Sequence, residues 1–277
     1  MNFPVNAGRA DELLALFEAT RAEGVEVTMD TYPYLAGGTT LAALMPGWAS
    51  AGGPDALLAR LADATVRARI ARALENGESD GAHLVPVDWS AIEIAGVGRA
   101  ELAGAVGHSV AEVAAMRGQD PTDVALDLVV ADDLATTILM HVGDEANVRT
   151  MMRDPGHCGG SDGLFVGDRP HPRGWGTFAR YLARYVRELG VLTLPEAVEH
   201  LAARPARVVG LTDRGVLREG AVADLVLLDP ATVTDRATYA DPRQLATGVT
   251  GVWLEGRAAW RDGQVVDARA GRALRVV

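Results

Sequence analysis

The sequence predicts an α/β fold followed by a smaller β-rich unit. Near the start, a helical pattern at residues 9–23 leads directly into an alternating segment at residues 25–31, the rhythm of α/β architecture. After about Gly210 the pattern changes to short strands separated by turns. The 277 residues, 48% of them hydrophobic, suffice for one large domain or one domain with an appendage.

The first strand leads into a candidate binding loop. Residues 9–23 place apolar side chains at helical spacing, and residues 25–31 alternate apolar with polar side chains, which predicts a helix and then a strand. Residues 31–40 have the composition of a loop, since they contain Tyr32-Pro33-Tyr34 and two adjacent glycines. Ligands of parallel α/β folds bind at the carboxyl ends of strands, so this loop is a candidate site.

Further helices are predicted by periodic patterns and by start and stop signals. Capping boxes and a proline at the first helical position mark helix starts, and glycine marks one helix end. The signals lie at residues 57–75, Ser109 with Glu112, Pro121, residues 144–153, residues 178–189 before Gly190, and Thr193 with Glu196.

A second candidate site segment lies at residues 157–163, His-Cys-Gly-Gly-Ser-Asp-Gly. These residues are too small for a helix and stand where another strand is expected to end. Beyond residue 210, residues 224–229 predict a strand, and residues 249–266 predict strands punctuated by Glu255-Gly256 and Asp262-Gly263 turns.

Composition excludes several classes of function. The formal net charge is −11 and no cluster of Lys and Arg would neutralise phosphates, so we expect no nucleic-acid partner. No stretch reaches the roughly 20 apolar residues of a membrane span. Residues 2–8 lack the pattern of a signal peptide, and Cys158 alone cannot form an intrachain disulfide. We therefore expect a cytoplasmic protein without a membrane partner.

Asp162 is the first candidate for chemistry. A carboxylate at the end of a short, glycine-flanked strand could reach into a binding cleft and ligate a metal or move a proton. The alternative is a turn aspartate that bonds its own backbone, since Asp before Gly is common in turns.

The loop at residues 169–176 is the second candidate. Its two prolines stiffen the backbone and would hold Arg173 steady for bidentate capture of a carboxylate. Equally, Arg173 could pair with a neighbouring carboxylate such as Asp168 in a structural loop.

Three segments resemble N-acyl-D-amino-acid deacylases of the metal-dependent amidohydrolase superfamily. They are VTMDTYPYLAGGTT at residues 27–40, SDGLFVGDRPHPRGWGTFARYLARYVRELG at residues 161–190 and RPARVVGLTDRGVLREGAVADLVLLDPATV at residues 204–233. The resemblance implies the carboxy-terminal part of a TIM-like (β/α) barrel at residues 1–209, with an inserted helical region at about 51–106. Residues 210–277 would then be a β-rich segment of a composite sandwich domain.

The resemblance also implies roles for particular residues. Asp162 matches the family's carboxylate on the last barrel strand, which touches the metal and acts as general base and acid. Tyr32 and Arg173 match residues that bind the substrate, Arg173 through its free carboxylate. Thr39 stands near the position where family members often carry a serine, and His171 is a further candidate substrate contact.

The zinc ligands of the family are matched only at Asp162. The family takes ligands from a His-x-His pair, a cysteine or modified lysine, and two further histidines, and this chain contains no His-x-His. The resemblance therefore implies that the other ligands lie upstream of Met1 and that this chain alone does not hold zinc stably. A complementing amino-terminal half, or self-association, is the expected macromolecular partner, and an N-acyl amino acid is the expected substrate.

Two other functions remain open. The chain could be a non-catalytic binding or assembly module that kept the carboxylate pocket. It could also belong to a hydantoinase-like or dihydroorotase-like class that cleaves cyclic amides.

Overall fold

A computed structural model describes residues 3–274 and has the predicted α/β architecture. In chain order the strands are β1 (Met29–Thr31), β2 (Gly37–Thr40), β3 (Ile92–Gly96), β4 (Thr137–Met140), β5 (His157–Gly159), β6 (Leu225–Leu228), β7 (Val249–Leu254), β8 (Arg257–Arg261) and β9 (Gln264–Val265). The α-helices are α1 (Ala10–Ala22), α2 (Gly47–Ser50), α3 (Pro54–Ala62), α4 (Ala64–Asn76), α5 (Val110–Arg117), α6 (Pro121–Ala131), α7 (Glu145–Met152), α8 (Arg173–Arg180), α9 (Leu194–Val198) and α10 (Arg204–Val208).

The strands β1 and β5 form a parallel pair. Met29 lies opposite His157, and Thr31 lies opposite Gly159. Helix α1 precedes β1 and helix α7 precedes β5, and the two helices contact each other. The predicted strand at residues 25–31 is therefore present only in its last three residues.

The strands β2, β4 and β3 form an antiparallel sheet in that order. The prediction of a loop over residues 37–40 is wrong, because these residues are strand β2. Their glycine content indicates a loop locally, but pairing with β4, nearly a hundred residues away, determines the conformation. The loop prediction holds for the residues between β1 and β2.

The predicted helix at residues 57–75 is two helices. Helix α3 ends and α4 begins at Asp63, whose carboxylate accepts hydrogen bonds from the backbone N–H groups of Thr65 and Val66. Both helices pack against α6. They contribute to a hydrophobic core cluster that extends from Leu41 to Met140 and includes side chains of β3 and β4.

The predicted start signals are confirmed. Ser109 and Thr193 each form a complete capping box, at the starts of α5 and α9, and Pro121 is at the start of α6. Helix α8 continues as a π-helix over Tyr181–Glu188, and Gly190 follows in the left-handed region with φ +58°. The π-helix packs with α7 side chains in a second core cluster.

The carboxy-terminal strands form one antiparallel sheet in the order β6, β7, β8, β9. The predicted turns lie between β7 and β8 and between β8 and β9. Glu255 and Gly256 both have positive φ, as do Asp262 and Gly263, which is the backbone of tight hairpin turns. The division of the chain at about residue 210 stays a prediction. Within residues 3–274 there is no helix long and apolar enough to cross a membrane.

Candidate active site

Two predicted residues meet at the carboxyl ends of the parallel strands. Tyr32 follows β1 directly, and Asp162 lies in the loop after β5. Both line a cavity of about 280 Å³. The other lining residues are Phe3, Asp30, Thr31, Asn147, Val148 and Met151. This is the end of a parallel sheet at which ligands are expected.

Arg173 joins these two residues. It is the first residue of α8, and its side chain is 1% exposed. Its Nη2 lies 2.8 Å from Oδ2 of Asp162 and donates to the carbonyl of Gly38 at 3.4 Å. Its guanidinium carbon lies 4.7 Å from the ring centre of Tyr32, a cation–π distance. The carboxylate that pairs with Arg173 is thus Asp162, and not Asp168, the example that the sequence suggested.

The arginine and the aspartate are both in unusual settings. The Nε of Arg173 is buried and has no hydrogen-bond partner among the residues that the structure describes. Asp162 has φ +45°, a left-handed conformation that is uncommon outside glycine, and 63% of its side chain is exposed. A buried unpaired donor beside a strained, exposed carboxylate indicates a site built for a ligand with an acceptor oxygen.

His171 is buried and holds the backbone in place. Its Nε2 donates to the carbonyl of Ala36 at 2.9 Å, and its Nδ1 accepts from the backbone N–H of Arg173 at 3.0 Å. Burial lowers its pKa to about 3, and the positive charge of Arg173 acts in the same direction. Because both ring nitrogens bond to backbone, contact with substrate stays a prediction for His171.

Thr39 lies beside the site on β2, opposite Ile138 of β4. It lines a separate, mostly apolar cavity of about 140 Å³ that also borders His171 and Arg173. The structure thus brings Tyr32, Arg173 and Asp162 into contact and places Thr39 on a neighbouring strand.

Two tyrosines at the site were not predicted from the sequence to be site residues. Tyr34 is buried with its ring centre 5.1 Å from that of His171, and burial raises its pKa. Tyr239, from the chain between β6 and β7, lies 5.3 Å from His171. Tyr34 could have been found as the second tyrosine of the Tyr-Pro-Tyr segment, whereas nothing in the sequence around Tyr239 distinguishes it.

A buried histidine pair joins β5 to the helical segment that carries His200. His157 Nδ1 lies 3.0 Å from His200 Nδ1, and His157 Nε2 lies 2.9 Å from Thr31 Oγ1. Burial, then His200, lowers the pKa of His157 to about 3. Two neutral rings sharing one proton fit this geometry, since one nitrogen donates and the other accepts.

The metal-ligating groups of the described residues are sparse. Within residues 3–274, no three His, Cys, Asp or Glu side chains lie close enough to hold a metal ion. Cys158 is buried beside this region, and burial raises the pKa of its thiol. The described residues therefore do not form a complete zinc site by themselves.

A carboxylate and a buried arginine lie at the carboxyl ends of the parallel strands, the edge of the sheet at which α/β proteins bind ligands. The sequence profile of the amidohydrolase family matches residues 6–260, and the chain belongs to that family.

The chain is similar to bacterial deacylases and spans about half their length or less. It is 35% identical over 269 residues to D-aminoacylase of Alcaligenes xylosoxydans xylosoxydans, covering 97% of this chain and 46% of the relative. It is 42% identical over 164 residues to N-acyl-D-aspartate deacylase of the same organism, covering 57% of this chain and 33% of the relative.

A solved structure is similar over nearly the whole chain. It is N-acyl-D-glutamate deacylase of Bordetella bronchiseptica, complexed with zinc and a phosphonate that mimics the tetrahedral intermediate. The TM-score is 0.76 with 33% identity, and the match covers 99% of this chain and 48% of that chain.

Proposed function

We propose that this chain forms the substrate-binding part of a zinc-dependent hydrolase that cleaves N-acyl-D-amino acids to a carboxylate and a free D-amino acid. The observation that carries the proposal is the buried Arg173, ion-paired to Asp162 and stacked on Tyr32, with its Nε still unpartnered among the described residues. The similarity to deacylases over the same residues supports it.

Arg173 is suited to bind the free carboxylate of the substrate. A carboxylate oxygen would give Nε the acceptor that it lacks, and a guanidinium fork binds carboxylates with two parallel hydrogen bonds. The ring of Tyr32 lies against the same guanidinium and would limit where the substrate sits. Thr39, on the neighbouring strand, would contact the substrate from the apolar cavity beside Arg173.

Asp162 is suited to move a proton. Its exposed side chain lines the cavity that Tyr32 also lines, so it can reach a bound water as general base and the departing amine as general acid. A zinc ion, when bound, supplies a water whose pKa is lowered to about 7. Asp162 would be one of its ligands, and the remaining ligands would come from outside the described residues.

The parallel pair β1 and β5 fits a part of a (β/α) barrel. Two strands leave open edges, so we propose that an amino-terminal half, or another copy of the chain, supplies the neighbouring strands. Residues 210–277 would form part of a composite β-sandwich, and residues 51–106 would be the inserted region. In support, side chains from residues 57–105 contribute to the Leu41–Met140 core. A cytoplasmic location belongs to the same proposal.

The test compares the 277-residue chain alone with the chain co-expressed with the amino-terminal half of the similar D-aminoacylase. D- and L-forms of N-acetyl amino acids are supplied with zinc, and released amino acid is measured. We expect D-specific hydrolysis by the pair and none by the chain alone. Unaided turnover with stoichiometric zinc would contradict the need for outside ligands. Cleavage of cyclic amides alone would favour the hydantoinase-like or dihydroorotase-like class.

Two variants test the assigned roles. Asp162→Asn should lower kcat by about 10²–10⁴-fold, the usual contribution of a general acid or base. Arg173→Met should weaken N-acyl-D-amino-acid binding, measured by calorimetry, by about 30-fold or more. Asp168→Asn, an exposed carboxylate in the same loop, is the matched control and should change neither value. Binding that survives Arg173→Met, without turnover in any pairing, would favour a binding or assembly module with a different anchor.

A further inference from the structure

A segment of the carboxy-terminal unit crosses the loop that carries the site. It comprises residues 235–243 and is called the strap below. Its base is closed by two backbone hydrogen bonds between Thr234 and Thr247, at 3.1 and 3.0 Å. The two ends of the strap are therefore held together where it leaves the β-rich unit.

Polar contacts hold the strap to the site loop at both ends. Arg180 of α8 lies 3.2 Å from the carboxylate of Asp235. At the other end, Arg243 donates to the carbonyls of Gly167 and Asp168, each at 2.8 Å. Arg169 donates to the carbonyl of Tyr239 between them, at 3.3 Å. The strap is thus bonded to the backbone just before the Arg169-Pro170-His171-Pro172-Arg173 turn and to the side chain of Arg180 at the end of α8.

The side chain of Tyr239 reaches the histidine that supports Arg173. The ring centre of Tyr239 lies 5.3 Å from His171 in an edge-on arrangement and 5.0 Å from His141. On its other side, His171 donates from Nε2 to the backbone carbonyl of Ala36 at 2.9 Å. His171 is therefore fixed on one side by the Ala36 peptide and on another by the Tyr239 ring.

We infer that Tyr239 is a positioning residue: through His171 it fixes the position of Arg173, the proposed substrate-binding arginine. The Nδ1 of His171 accepts from the backbone N–H of Arg173, the residue with which α8 begins. A shift of the imidazole would move the start of α8 and with it the guanidinium. The inference rests on the proposed role of Arg173 and assigns the carboxy-terminal unit a part in substrate affinity.

Two physical arguments separate this role from simple packing. Geometric tolerance at a bidentate carboxylate site is small, so displacement of about 1 Å is costly for binding. The strap also donates from Arg243 to two carbonyls before the turn and accepts from Arg180 at its own carboxylate Asp235. Such directional contacts fix orientation, whereas plain packing would need only apolar area. Loss of Tyr239 should therefore act on KM more than on kcat.

The first test measures hydrogen exchange of the Arg173 amide in the 277-residue chain, which needs no activity. Tyr239→Ala should speed its exchange by about tenfold. Arg243→Met, a change at an exposed side chain that should leave folding intact, should act in the same direction. Leu245→Ser, exposed and close by in the sequence, is the control and should leave exchange unchanged. Unchanged exchange in both Tyr239→Ala and Arg243→Met would overturn the inference.

The second test uses the chain paired with an amino-terminal half. Tyr239→Ala should raise KM about tenfold with kcat changed by less than about threefold, and Tyr239→Phe, which keeps the ring, should restore most of the affinity. Equal losses in Tyr239→Phe and Tyr239→Ala would contradict positioning through the ring. If the wild-type pair has no activity, the proposed function fails, and the exchange measurement still decides the role of the strap.

Discussion

Buried polar groups are handled differently in two regions of the molecule. In the region of the Leu41–Met140 core, Asp132 is 1% exposed and accepts from the backbone N–H groups of Gly98 and Arg99 and from the hydroxyl of Thr136. These partners are all provided by the protein itself. Such closed networks fix a fold and leave nothing for a ligand.

In the region at the ends of β1 and β5, the corresponding network is open. Arg173 is as buried as Asp132, yet its ion-pair partner Asp162 is largely exposed and its Nε lacks an acceptor among the described residues. The comparison teaches that burial alone does not mark a functional residue. What separates Arg173 from Asp132 is that the hydrogen bonding of Arg173 is unfinished among the described residues.

The largest effect is expected in the region at the ends of β1 and β5. Its buried histidines should make the folded protein less stable in acid. The pKa values of His157 and His171 are lowered to about 3 by burial, and that of His200 is lowered as well. Between the unfolded value near 6.5 and the folded value, the unfolded chain binds protons that the folded chain does not, so stability falls as pH falls. Each histidine can contribute up to roughly 1.4 kcal/mol per pH unit there.

Urea denaturation between pH 7 and pH 5 measures this slope before most carboxylates titrate. His157→Gln should flatten the slope even where it lowers stability at pH 7. Leu245→Gln, at an exposed side chain that carries no titratable group, is the control and should leave the slope unchanged. An equally steep slope in His157→Gln would show that acid sensitivity arises elsewhere.

The next effect tests the closed network. Asp132→Ala should lower the free energy of unfolding by about 3 kcal/mol, because it leaves buried backbone donors of Gly98 and Arg99 without an acceptor. Asp133→Asn is the matched control, since Asp133 is exposed and asparagine tolerates its positive φ. Denaturant midpoints provide the measurement. If Asp132→Ala left the free energy of unfolding unchanged, the proposed difference between the two regions would be wrong.

The sequence predicts well whatever depends on neighbouring residues. Some features depend only on residues a few positions apart, and each of these is present: the capping boxes at Ser109 and Thr193 and the hairpin turn at Glu255-Gly256. Asp162 and Arg173 could be singled out because small and rigid residues surround them. Their contact with each other could not be derived from spacing, although each was a candidate.

What the sequence does not predict depends on distant pairing. Strand β2 is rich in glycine and forms because β4 lies beside it. Tyr239 reaches His171 only because the carboxy-terminal unit packs over the site loop. The break between α3 and α4 also escaped the helical pattern, since periodicity continues through Asp63 while its carboxylate caps the second helix.

The smallest expected effect tests whether helix caps contribute equally to the free energy of unfolding in the two regions. Ser109 caps a helix in the Leu41–Met140 region, and Thr193 caps α9, which packs against the π-helix that continues α8. Ser109→Ala and Thr193→Ala should each lower the free energy of unfolding by about 1 kcal/mol, because each leaves one backbone N–H at a helix start without its acceptor. Glu112→Gln keeps the capping box and is the control. The same urea titration measures both losses in free energy of unfolding. A loss in Thr193→Ala well above that in Ser109→Ala would mean that the start of α9 is coupled to the open network around Arg173.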